Sequence, residues 1–379
     1  MSDTDAPLQT TCPLRLLPSP EQGALLRAHG REYIGAINVL VAAIESGVLP
    51  DEGKETTTAD FTAALPSAVK NQALRDARSV WQRALALGRV PVLRRPACQW
   101  NNQNWRMEQR PAEGSVLVIP VSQLGKTGQI GIRCAGTPPP LPPDAKPGLL
   151  RITRKRNKWI AHVAYTLPKP APTAGERVMG IDLGIKVPAV VHIIGRGTRY
   201  LGNGRAQRAR RRQFYARRRS LHQAKKVRAV RKSRGKESRW MRDTNHKLSR
   251  QIVTHAQRQS VGTIRLERLA GIRRRTTRTS GGAKRTPARK NNRMIASWPF
   301  YQLATFIAYK AARAGIAVQW VDPAYTSRTC PACGARNSAA DRCYVCVNCG
   351  WMGHRDAVGA INISRRAGRR GDSVGAAGA

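Results

Sequence analysis

The sequence predicts a mixed α/β protein in two parts: a small β domain with an inserted helical unit, then a larger α/β domain with a cluster of cysteines. Apolar residues recur at helical spacing between residues 21 and 87, and short strand-like runs follow up to residue 167. From residue 177, three strand-like runs precede alternating helices and strands. The proline-rich run at 168–176 is the best candidate for the boundary between the two parts.

The first part combines a predicted small β-barrel or sheet domain, residues 1–20 and 89–170, with a helical insertion at residues 21–88. PLRLLPSP predicts a short strand that ends in prolines, at residues 13–20. Further strands are predicted at residues 115–121, 128–134, 149–154 and 158–167. Within the insertion, apolar side chains at steps of three and four predict helices over 21–46 and 67–87.

The second part has the element order of a ribonuclease-H-like α/β domain. Three strands are predicted at residues 177–185, 189–195 and 198–202, followed by a long helical region over 205–259. A strand at 262–270, a helix at 299–315, a strand at 316–322 and a helix at 356–366 complete the order. The small-residue tail, residues 367–379, is predicted to be disordered.

The charge of the chain indicates a polyanionic partner. Its 379 residues include 67 Lys and Arg against 22 Asp and Glu, a net charge of +45. Such a field attracts nucleic acid, although association with ribosomes also fits the charge alone. Residues 205–250 hold nineteen Lys and Arg against Glu237 and Asp243, and the predicted loop at 271–293 holds nine with no acid. That imbalance is too large for an ordinary solvated face, because like charges one helical turn apart repel.

The chain lacks the marks of a membrane or secreted protein. The N-terminus has no basic region followed by an apolar stretch, and the longest apolar runs are too short to span a bilayer. We therefore expect a cytoplasmic protein with no membrane partner.

Three acidic residues stand on elements where a metal site would need them. Asp182 and Glu267 lie within apolar strands, and Asp356 opens the last helix. Taken singly, Asp182 suits a turn, Glu267 an ion pair with a neighbouring arginine, and Asp356 a helix cap. Together they favour a site for two Mg²⁺ ions, because three converging carboxylates stay ionised only with cations between them. In enzymes, such a pair of ions assists the hydrolysis of phosphodiester bonds by water.

The cysteines predict a zinc site. CPACG at 330–334 and CVNCG at 346–350 are two C-x₂-C-G knuckles with twelve residues between Cys333 and Cys346. Four cysteines in this arrangement, Cys330, Cys333, Cys346 and Cys349, bind one structural Zn²⁺ in tetrahedral geometry. Cys343 could replace a ligand, but only Cys349 is followed by the glycine that a tight knuckle needs.

The second part resembles the TnpB family, the transposon-associated relatives of the miniature type V CRISPR effectors. The motifs that carry the resemblance run in order from GIDLG at 180 through MRDTNHKLSR, IRLERLAGI, WPFYQLATFIAYKA, VDPAYTSRTCPACG and YVCVNCGW to HRDAVGAINI. The resemblance implies an RNA-guided DNA endonuclease with a RuvC-like nuclease domain over 177–366 and a zinc ribbon at 326–353. It implies that Asp182, Glu267 and Asp356 are the catalytic acids, and that the partners are a guide RNA and double-stranded DNA with a short adjacent motif. The first part matches in layout only, as a wedge-like domain with a recognition insertion, and the oligomeric state stays open.

One departure from the family pattern bears on activity. The last motif commonly reads Asp-x-Asn-Ala-Ala, and here Val358 and Gly359 replace the Asn and the first Ala. A nuclease-silent, guided DNA-binding repressor on the same scaffold is therefore an alternative, as is a guide-free RuvC-like nuclease. The retained acids favour an active nuclease.

Two tryptophans leave a second question open. Trp100 and Trp105 lie in the polar run QWNNQNWR, where they could stack on bases or read base edges. The core of the small sheet suits them equally.

Overall fold

The computed structural model describes residues 8–50, 56–123, 126–136, 140–155, 157–268, 298–337 and 342–367. The described residues form two compact units, one that ends at Pro168 and one that begins at Lys169. The division falls at the start of the proline-rich run. None of the described helices is long and apolar enough to cross a membrane.

The N-terminal unit is built on an open antiparallel sheet. Its described strands have the order β2-β6-β7-β1-β5-β4-β3, and no pairing between β2 and β3 closes it into a barrel among the described residues. Their bounds are β1 Leu8–Leu16, β2 Ala97–Trp100, β3 Arg106–Arg110, β4 Gly114–Gln123, β5 Lys126–Ala135, β6 Lys146–Lys155 and β7 Lys158–Leu167. The strand predicted at 13–20 begins earlier and ends before the prolines, because Leu8–Leu16 pairs along its whole length with β7. Strands β2 and β3 are too short and too polar to stand out in the sequence.

Two helices cover one face of this sheet, α1 Pro20–Glu45 and α2 Ser67–Leu87. Ser19 caps α1 in a capping box with Gln22, which satisfies the free N–H groups at its start. Their apolar stripes join the sheet in one core that includes Tyr33, Ile37, Leu40, Val69 and Ala73.

Trp100 and Trp105 belong to this core. Trp100 is fully buried and Trp105 is 9 % exposed. Each indole N–H donates to a backbone carbonyl, Trp100 to Pro120 at 3.1 Å and Trp105 to Gly148 at 3.0 Å. The core interpretation is therefore correct, and these rings do not present themselves for stacking on bases.

The C-terminal unit is built on a mixed sheet with the order β10-β9-β8-β11-β12. Its strands are β8 Arg177–Asp182, β9 Ala189–Ile193, β10 Gly197–Leu201, β11 Val261–Glu267 and β12 Ala317–Val321. β8, β9 and β10 are antiparallel neighbours, whereas β8, β11 and β12 are parallel. The helices that connect the parallel strands bury apolar stripes against the sheet, and its core includes Met179, Ile181, Val191, Ile252 and Ile264.

The helices of this unit are α3 Gly204–Gln223, α4 Val227–Ser233, α5 Lys236–Arg258, α6 Phe300–Arg313 and α7 Arg355–Arg365. The long helical region predicted over 205–259 is thus broken in two places. Lys225 and Gly235 both have positive φ, 50° and 72°, and end the continuous helix there. A two-stranded ribbon, β13 Cys343–Val345 and β14 Met352–His354, lies between β12 and α7.

Two predicted segments lie outside the described residues. The basic loop at 271–293 falls within 269–297, and almost all of the predicted disordered tail falls within 368–379. The strand predicted at 262–270 ends at Glu267.

Candidate acid cluster and cysteine metal site

Asp182 and Glu267 lie side by side at the C-terminal ends of two central strands of the mixed sheet, β8 and β11. Each is the last residue of its strand, and the two strands are adjacent and parallel, with Ile181 opposite Leu266. The next residue on each strand is therefore also aligned, and both side chains point to the same face. A parallel pair brings together two acids that are 85 positions apart in the sequence.

Asp356 reaches the same place on α7. This helix packs directly on β8 because Gly180 has no side chain: a Cβ there would lie 2.3 Å from both Ala360 O and Ser364 N. One turn after Asp356, the Cα of Gly359 faces the acid on β8, and an added Cβ would lie 2.7 Å from Asp182 Oδ2. The first turn of α7 therefore stands over Asp182.

The electrostatics of the cluster favour a bound cation. Burial, then the negative charges of Glu267 and Asp356, raise the pKa of Asp182 to about 8, while Arg355 works in the opposite direction. Burial also raises the pKa of Glu267. Because like charges in a poorly solvated site disfavour ionisation, the ionised group is stabilised by a cation placed between its members.

The three carboxylates do not all approach within 4.8 Å of one another. Among the described residues, only the four predicted zinc ligands form such a group. Ligands of two ions that are themselves about 3.5–4 Å apart need not converge more closely than this. All three acids keep part of their surface exposed, so the donor set fits Mg²⁺, which retains water in its shell.

Thr326 contacts Glu267, and Asn362 supports Thr326; the sequence singled out neither residue. The Thr326 hydroxyl donates to Glu267 Oε1. Asn362 of α7 fixes the turn that carries Thr326, because its amide donates to Thr326 O and Thr329 O at 2.7 Å each. In the sequence, the only signal for Thr326 was the polar run TSRTC just before the first cysteine of the zinc site.

An aromatic pair flanks the acid cluster. Tyr200 on β10 packs edge-on against His354, with ring centroids 5.3 Å apart. His354 caps α7, since its Nδ1 accepts the N–H of Asp356 at 3.2 Å. Burial, and then the charge of Asp356, raise the pKa of Tyr200. Sequence reasoning missed both residues, because β10 and β14 meet α7 only in the fold.

The four predicted zinc ligands come together in the ribbon. Their sulfurs all lie within 4.8 Å of one another. Cys330 Sγ is 3.7 Å from Cys349 Sγ, and Cys333 Sγ is 3.5 Å from Cys346 Sγ. Zinc–sulfur bonds of about 2.3 Å in a tetrahedron place sulfurs about 3.8 Å apart. The arrangement therefore fits a Cys₄ zinc site, and Cys343 is not part of the group.

The two knuckles have matching backbones. Gly334 and Gly350 have φ of 76° and 71°, the left-handed conformation that favours glycine. Each donates its N–H to the first cysteine of its knuckle, at 3.0 Å to Cys330 O and at 2.9 Å to Cys346 O. The turns also aim N–H groups at sulfur, which stabilises thiolate ligands.

Cys346 illustrates that effect. Its burial opposes ionisation, but the backbone N–H groups of Cys349 and Asn348 outweigh burial, with help from neighbouring thiols. The pKa of Cys346 falls to about 6 as a result. A thiolate at neutral pH is the form that binds zinc.

Val358, one of the two departures from the family pattern, packs into the cysteine cluster. Val358 is fully buried and packs with Cys330, Tyr344 and Cys346, so its side chain seals the ribbon against α7. Gly359, the other departure, is the residue beside Asp182.

The basic helices α3, α4 and α5 present much of their charge to solvent. Of the twenty residues of α3, only Gly204 and Gln207 are buried. Glu237 of α5 joins α5 to α3 through Arg211 at 2.9 Å and Arg218 at 2.7 Å. One of the few acids in this region is thus used to hold the arginine-rich helix in place.

Known proteins resemble the C-terminal unit in both sequence and fold. Residues 300–363 match the family described as "Cas12f1-like, TNB domain", and residues 162–273 match the family described as "Probable transposase". The CRISPR-associated endodeoxyribonuclease Cas12f1 of Sulfoacidibacillus thermotolerans is 32 % identical over 228 residues, which are 55 % of this chain and 50 % of that protein. A TnpB-like protein of Methanocaldococcus jannaschii is 32 % identical over 133 residues, 35 % of this chain and 45 % of that protein.

The fold likeness extends beyond the matched sequence. A Cas12f1–sgRNA–target DNA complex solved by cryo-EM superposes with a TM-score of 0.68 at 14 % identity, covering 91 % of this chain and 83 % of that one. In sequence, the chain spans about half the length of the Cas12f1 and TnpB-like relatives. The resemblance drawn from the motifs is thereby confirmed: two stretches of this chain match the two family models, and its sequence is similar to those of Cas12f1 and TnpB-like proteins.

Proposed function

We propose that this protein is an RNA-guided DNA endonuclease with a RuvC-like nuclease domain. The observation that carries the proposal is the meeting of Asp182, Glu267 and Asp356 at one edge of the mixed sheet. The Cas12f1 relative, itself an endodeoxyribonuclease, supports the same kind of activity. The proposed substrate is double-stranded DNA that carries a short adjacent motif, and the partner that selects it is a guide RNA.

The acid cluster is the proposed hydrolytic centre. Asp182, Glu267 and Asp356 would hold two Mg²⁺ ions, whose chemistry is Lewis-acid assistance to phosphodiester hydrolysis. Thr326 orients Glu267, and Gly359 leaves room for the Asp182 carboxylate. All three acids are partly exposed at the ends of β8 and β11 and the start of α7. That exposure leaves access for a phosphate.

The ribbon is proposed to bind one structural Zn²⁺. Four cysteine ligands leave no position for substrate, so the metal's contribution is to folding. Val358 and Asn362 connect this contribution to the acids, because Val358 packs on the cysteine cluster while Asn362 fixes the turn of Thr326.

The basic helices α3 to α5 are proposed to hold nucleic acid through its phosphates. A guide–target heteroduplex is gripped through its shape and backbone, while base pairing supplies sequence. α3 buries only two of its residues, so packing against the rest of the protein stabilises it little. Contacts between its exposed arginines and phosphates would stabilise it further, which suits the proposed role.

Plasmid cleavage tests the proposal. RNA that co-purifies with the chain is sequenced, and a plasmid that matches it is incubated with the ribonucleoprotein and Mg²⁺. The wild type should cut this plasmid and spare a mismatched one. Asp182→Ala should bind the matched plasmid but not cut it. Asp243→Ala, which removes an exposed acid paired with Lys247 on α5, is the matched control and should cut normally.

Each alternative has its own signature in this assay. A wild type that binds the matched plasmid and never cuts is a guided repressor. Cleavage that persists after all RNA is removed identifies a guide-free nuclease. Cleavage by Asp182→Ala at the wild-type rate would show that the acid is structural and would overturn the site assignment.

A further inference from the structure

An exposed tyrosine lies in line with the acid cluster across the mixed sheet. In the antiparallel registers, Asp182 of β8 lies opposite Val190 of β9, and Val190 lies opposite Tyr200 of β10. Residues that lie opposite one another on neighbouring strands point to the same face of a sheet. The three side chains therefore form one row, in which the Cα of Tyr200 is two strand spacings, or about 10 Å, from that of Asp182.

This row lies on the face of the sheet that carries α7. Gly180, two residues before Asp182 on the same strand, is where α7 packs directly on β8. On the opposite face, Leu201 is buried in the core with the apolar residues of α5 and α6. Within the row, Val190 is buried, whereas Tyr200 is 47 % exposed. Tyr200 is thus the accessible aromatic side chain that flanks the acids on the α7 face.

The ring of Tyr200 is held in place from the side of α7. It meets the ring of His354 edge-on, with centroids 5.3 Å apart and 80° between the ring planes. His354 is itself oriented, because its Nδ1 accepts the backbone N–H of Asp356 at 3.2 Å. An edge-on contact covers at most one face of the tyrosine ring, in agreement with the exposure of this residue. Tyr200 therefore offers an oriented aromatic surface beside the acid cluster.

A nucleotide is the kind of group that fits between this surface and the acids. Its phosphate suits the proposed metal site, and its base is a flat group that stacks on aromatic rings. The distance from Asp182 to Tyr200 is similar to the span from a phosphate to the far side of its base. A strand whose phosphate lies at the acids can therefore place an unstacked base on the ring.

We propose that Tyr200 holds the base next to the phosphate that the acid cluster hydrolyses. Stacking of this base on the ring positions the phosphate over Asp182 and Asp356. The contact raises the cleavage rate of bound DNA rather than its affinity, because base pairing with the guide supplies the affinity. It does not select sequence, since every base has a flat face. The proposal rests on the proposed function for the presence of a DNA strand at the acids.

Single-turnover cleavage of matched linear DNA by the full ribonucleoprotein, with the product ends mapped, tests the role of the ring. Tyr200→Ala should cut about tenfold more slowly, the effect of one lost stacking contact, and at several neighbouring phosphates, with unchanged affinity for DNA. Tyr200→Phe keeps the ring and should cut at the wild-type rate and position. Tyr301→Ala is the matched control, because Tyr301 is 58 % exposed and lies on α6, on the other face of the sheet. It should also cut as the wild type does.

Three results of these assays would overturn the proposal. The first is a Tyr200→Ala protein that cuts at the wild-type rate and position. The second is a Tyr200→Phe protein as slow as Tyr200→Ala, which would assign the effect to the hydroxyl. The third is a Tyr200→Ala protein that is slow, cuts at the wild-type position and melts well below the wild type, which would make the ring structural.

DNA that lacks one base tests the same contact from the side of the substrate. Abasic sites are placed one at a time around the wild-type cut in the cleaved strand. At one position next to the cut, the missing base should slow the wild type about as much as Tyr200→Ala does. It should not slow Tyr200→Ala further, because the ring and the base form a single contact. Losses that multiply at every position would overturn the proposal.

Photo-crosslinking separates this proposal from the nuclease proposal. Matched DNA with 5-iodouracil distributed through both strands is bound to the ribonucleoprotein in Ca²⁺, which carboxylates also bind, and adducts are mapped by mass spectrometry after irradiation. A wild type that gives an adduct at Tyr200 but never cuts in Mg²⁺ supports the tyrosine contact and contradicts the nuclease proposal. A wild type that cuts and gives no adduct at Tyr200 overturns the tyrosine contact alone. Absence of both cleavage and adduct overturns both proposals.

Discussion

Thr326 donates a hydrogen bond from its hydroxyl to Oε1 of Glu267. The bond joins the turn before the first cysteine to the end of β11, and Asn362 of α7 holds the same turn through two backbone carbonyls. The carboxylate is thus positioned by segments on either side of the ribbon. Integrity of the ribbon and geometry of the acid cluster are therefore coupled.

Thr326→Val should shift the pH dependence of cleavage. Burial raises the pKa of Glu267 and the Thr326 hydroxyl lowers it, so loss of the hydroxyl should raise that pKa further. More of the carboxyl is then protonated at neutral pH. The acidic limb of the cleavage–pH profile should move to higher pH, and more Mg²⁺ should be needed. Thr326→Ser, which keeps the hydroxyl, should retain the wild-type profile; an unshifted profile in Thr326→Val would contradict the positioning role.

Stability without Mg²⁺ should fall as pH rises from about 4 to about 8. An aspartate in the unfolded chain has an ordinary pKa of 3.8, and burial raises the pKa of Asp182 in the folded protein to about 8. In this window the folded state therefore holds a proton that the unfolded state has released. Asp182→Asn removes that proton linkage and should flatten this part of the profile. Thermal melts in Mg²⁺-free buffer, without a chelator that would strip zinc, check the slope. A wild-type profile as flat as that of Asp182→Asn would contradict the raised pKa.

The three acids should act as one unit. Asp182→Ala, Glu267→Ala and Asp356→Ala should each abolish plasmid cleavage, and any double variant should be no worse than a single one, because each removes the same metal site. Binding of matched DNA should persist in all of them, since it rests on the basic helices and on base pairing. Cleavage and binding assays on the same preparations measure this. Partial, additive losses would show that the acids act separately.

The purified protein should contain about one zinc per chain. Cys346→Ser should release it and expose Val358 and Tyr344, which pack on the cysteine cluster, so cleavage should fall together with zinc content. Cys343→Ser is the matched control and should keep the metal, because Cys343 is outside the ligand group. Metal analysis measures both. Full zinc retention in Cys346→Ser would contradict the ligand set.

Two glycines should respond differently to alanine. Gly180→Ala places a methyl 2.3 Å from backbone atoms of α7, so α7 must move and the protein should lose much of its stability. Gly359→Ala meets the Asp182 carboxylate, at 2.7 Å from Oδ2 and 3.1 Å from Cγ, and no backbone atom is among its nearest neighbours. That variant should melt at the same or a higher temperature, since alanine in a helix is favoured over glycine by about 1 kcal/mol, but cleavage should fall because the proposed catalytic carboxylate has to move. Equal losses of stability in both would contradict the packing described.

The co-purified RNA should be one defined non-coding species, and DNA binding should weaken steeply with salt. Binding that neutralises several phosphates releases counterions, so the logarithm of affinity falls linearly with the logarithm of salt concentration. Sequencing of the RNA and titrations at several salt concentrations provide the measurements. A random mixture of cellular RNA would identify a generic basic protein instead.

The pattern of residues within short segments was sufficient to predict much of the architecture. Apolar periodicity marked α1, α2 and α6, the proline-rich run marked the division of the chain, and the two glycine-ended knuckles identified Cys330, Cys333, Cys346 and Cys349 as one group. These signals are legible because each lies within a short segment whose spacing carries the geometry. The order of motifs also indicated the resemblance to TnpB proteins, which the similarity to known proteins confirmed.

Tertiary structure decided what depends on segments distant in the chain. The sequence named Asp182, Glu267 and Asp356, but only the parallel pairing of β8 with β11 and the close packing of α7 on Gly180 bring them to one edge. Thr326 and Gly359 gained their roles in the same way. Trp100 was assigned to the core, and Val358 to the packing of the ribbon. Side-chain environment is set by long-range packing, whereas the spacing of residues in one segment reports only the shape of that segment.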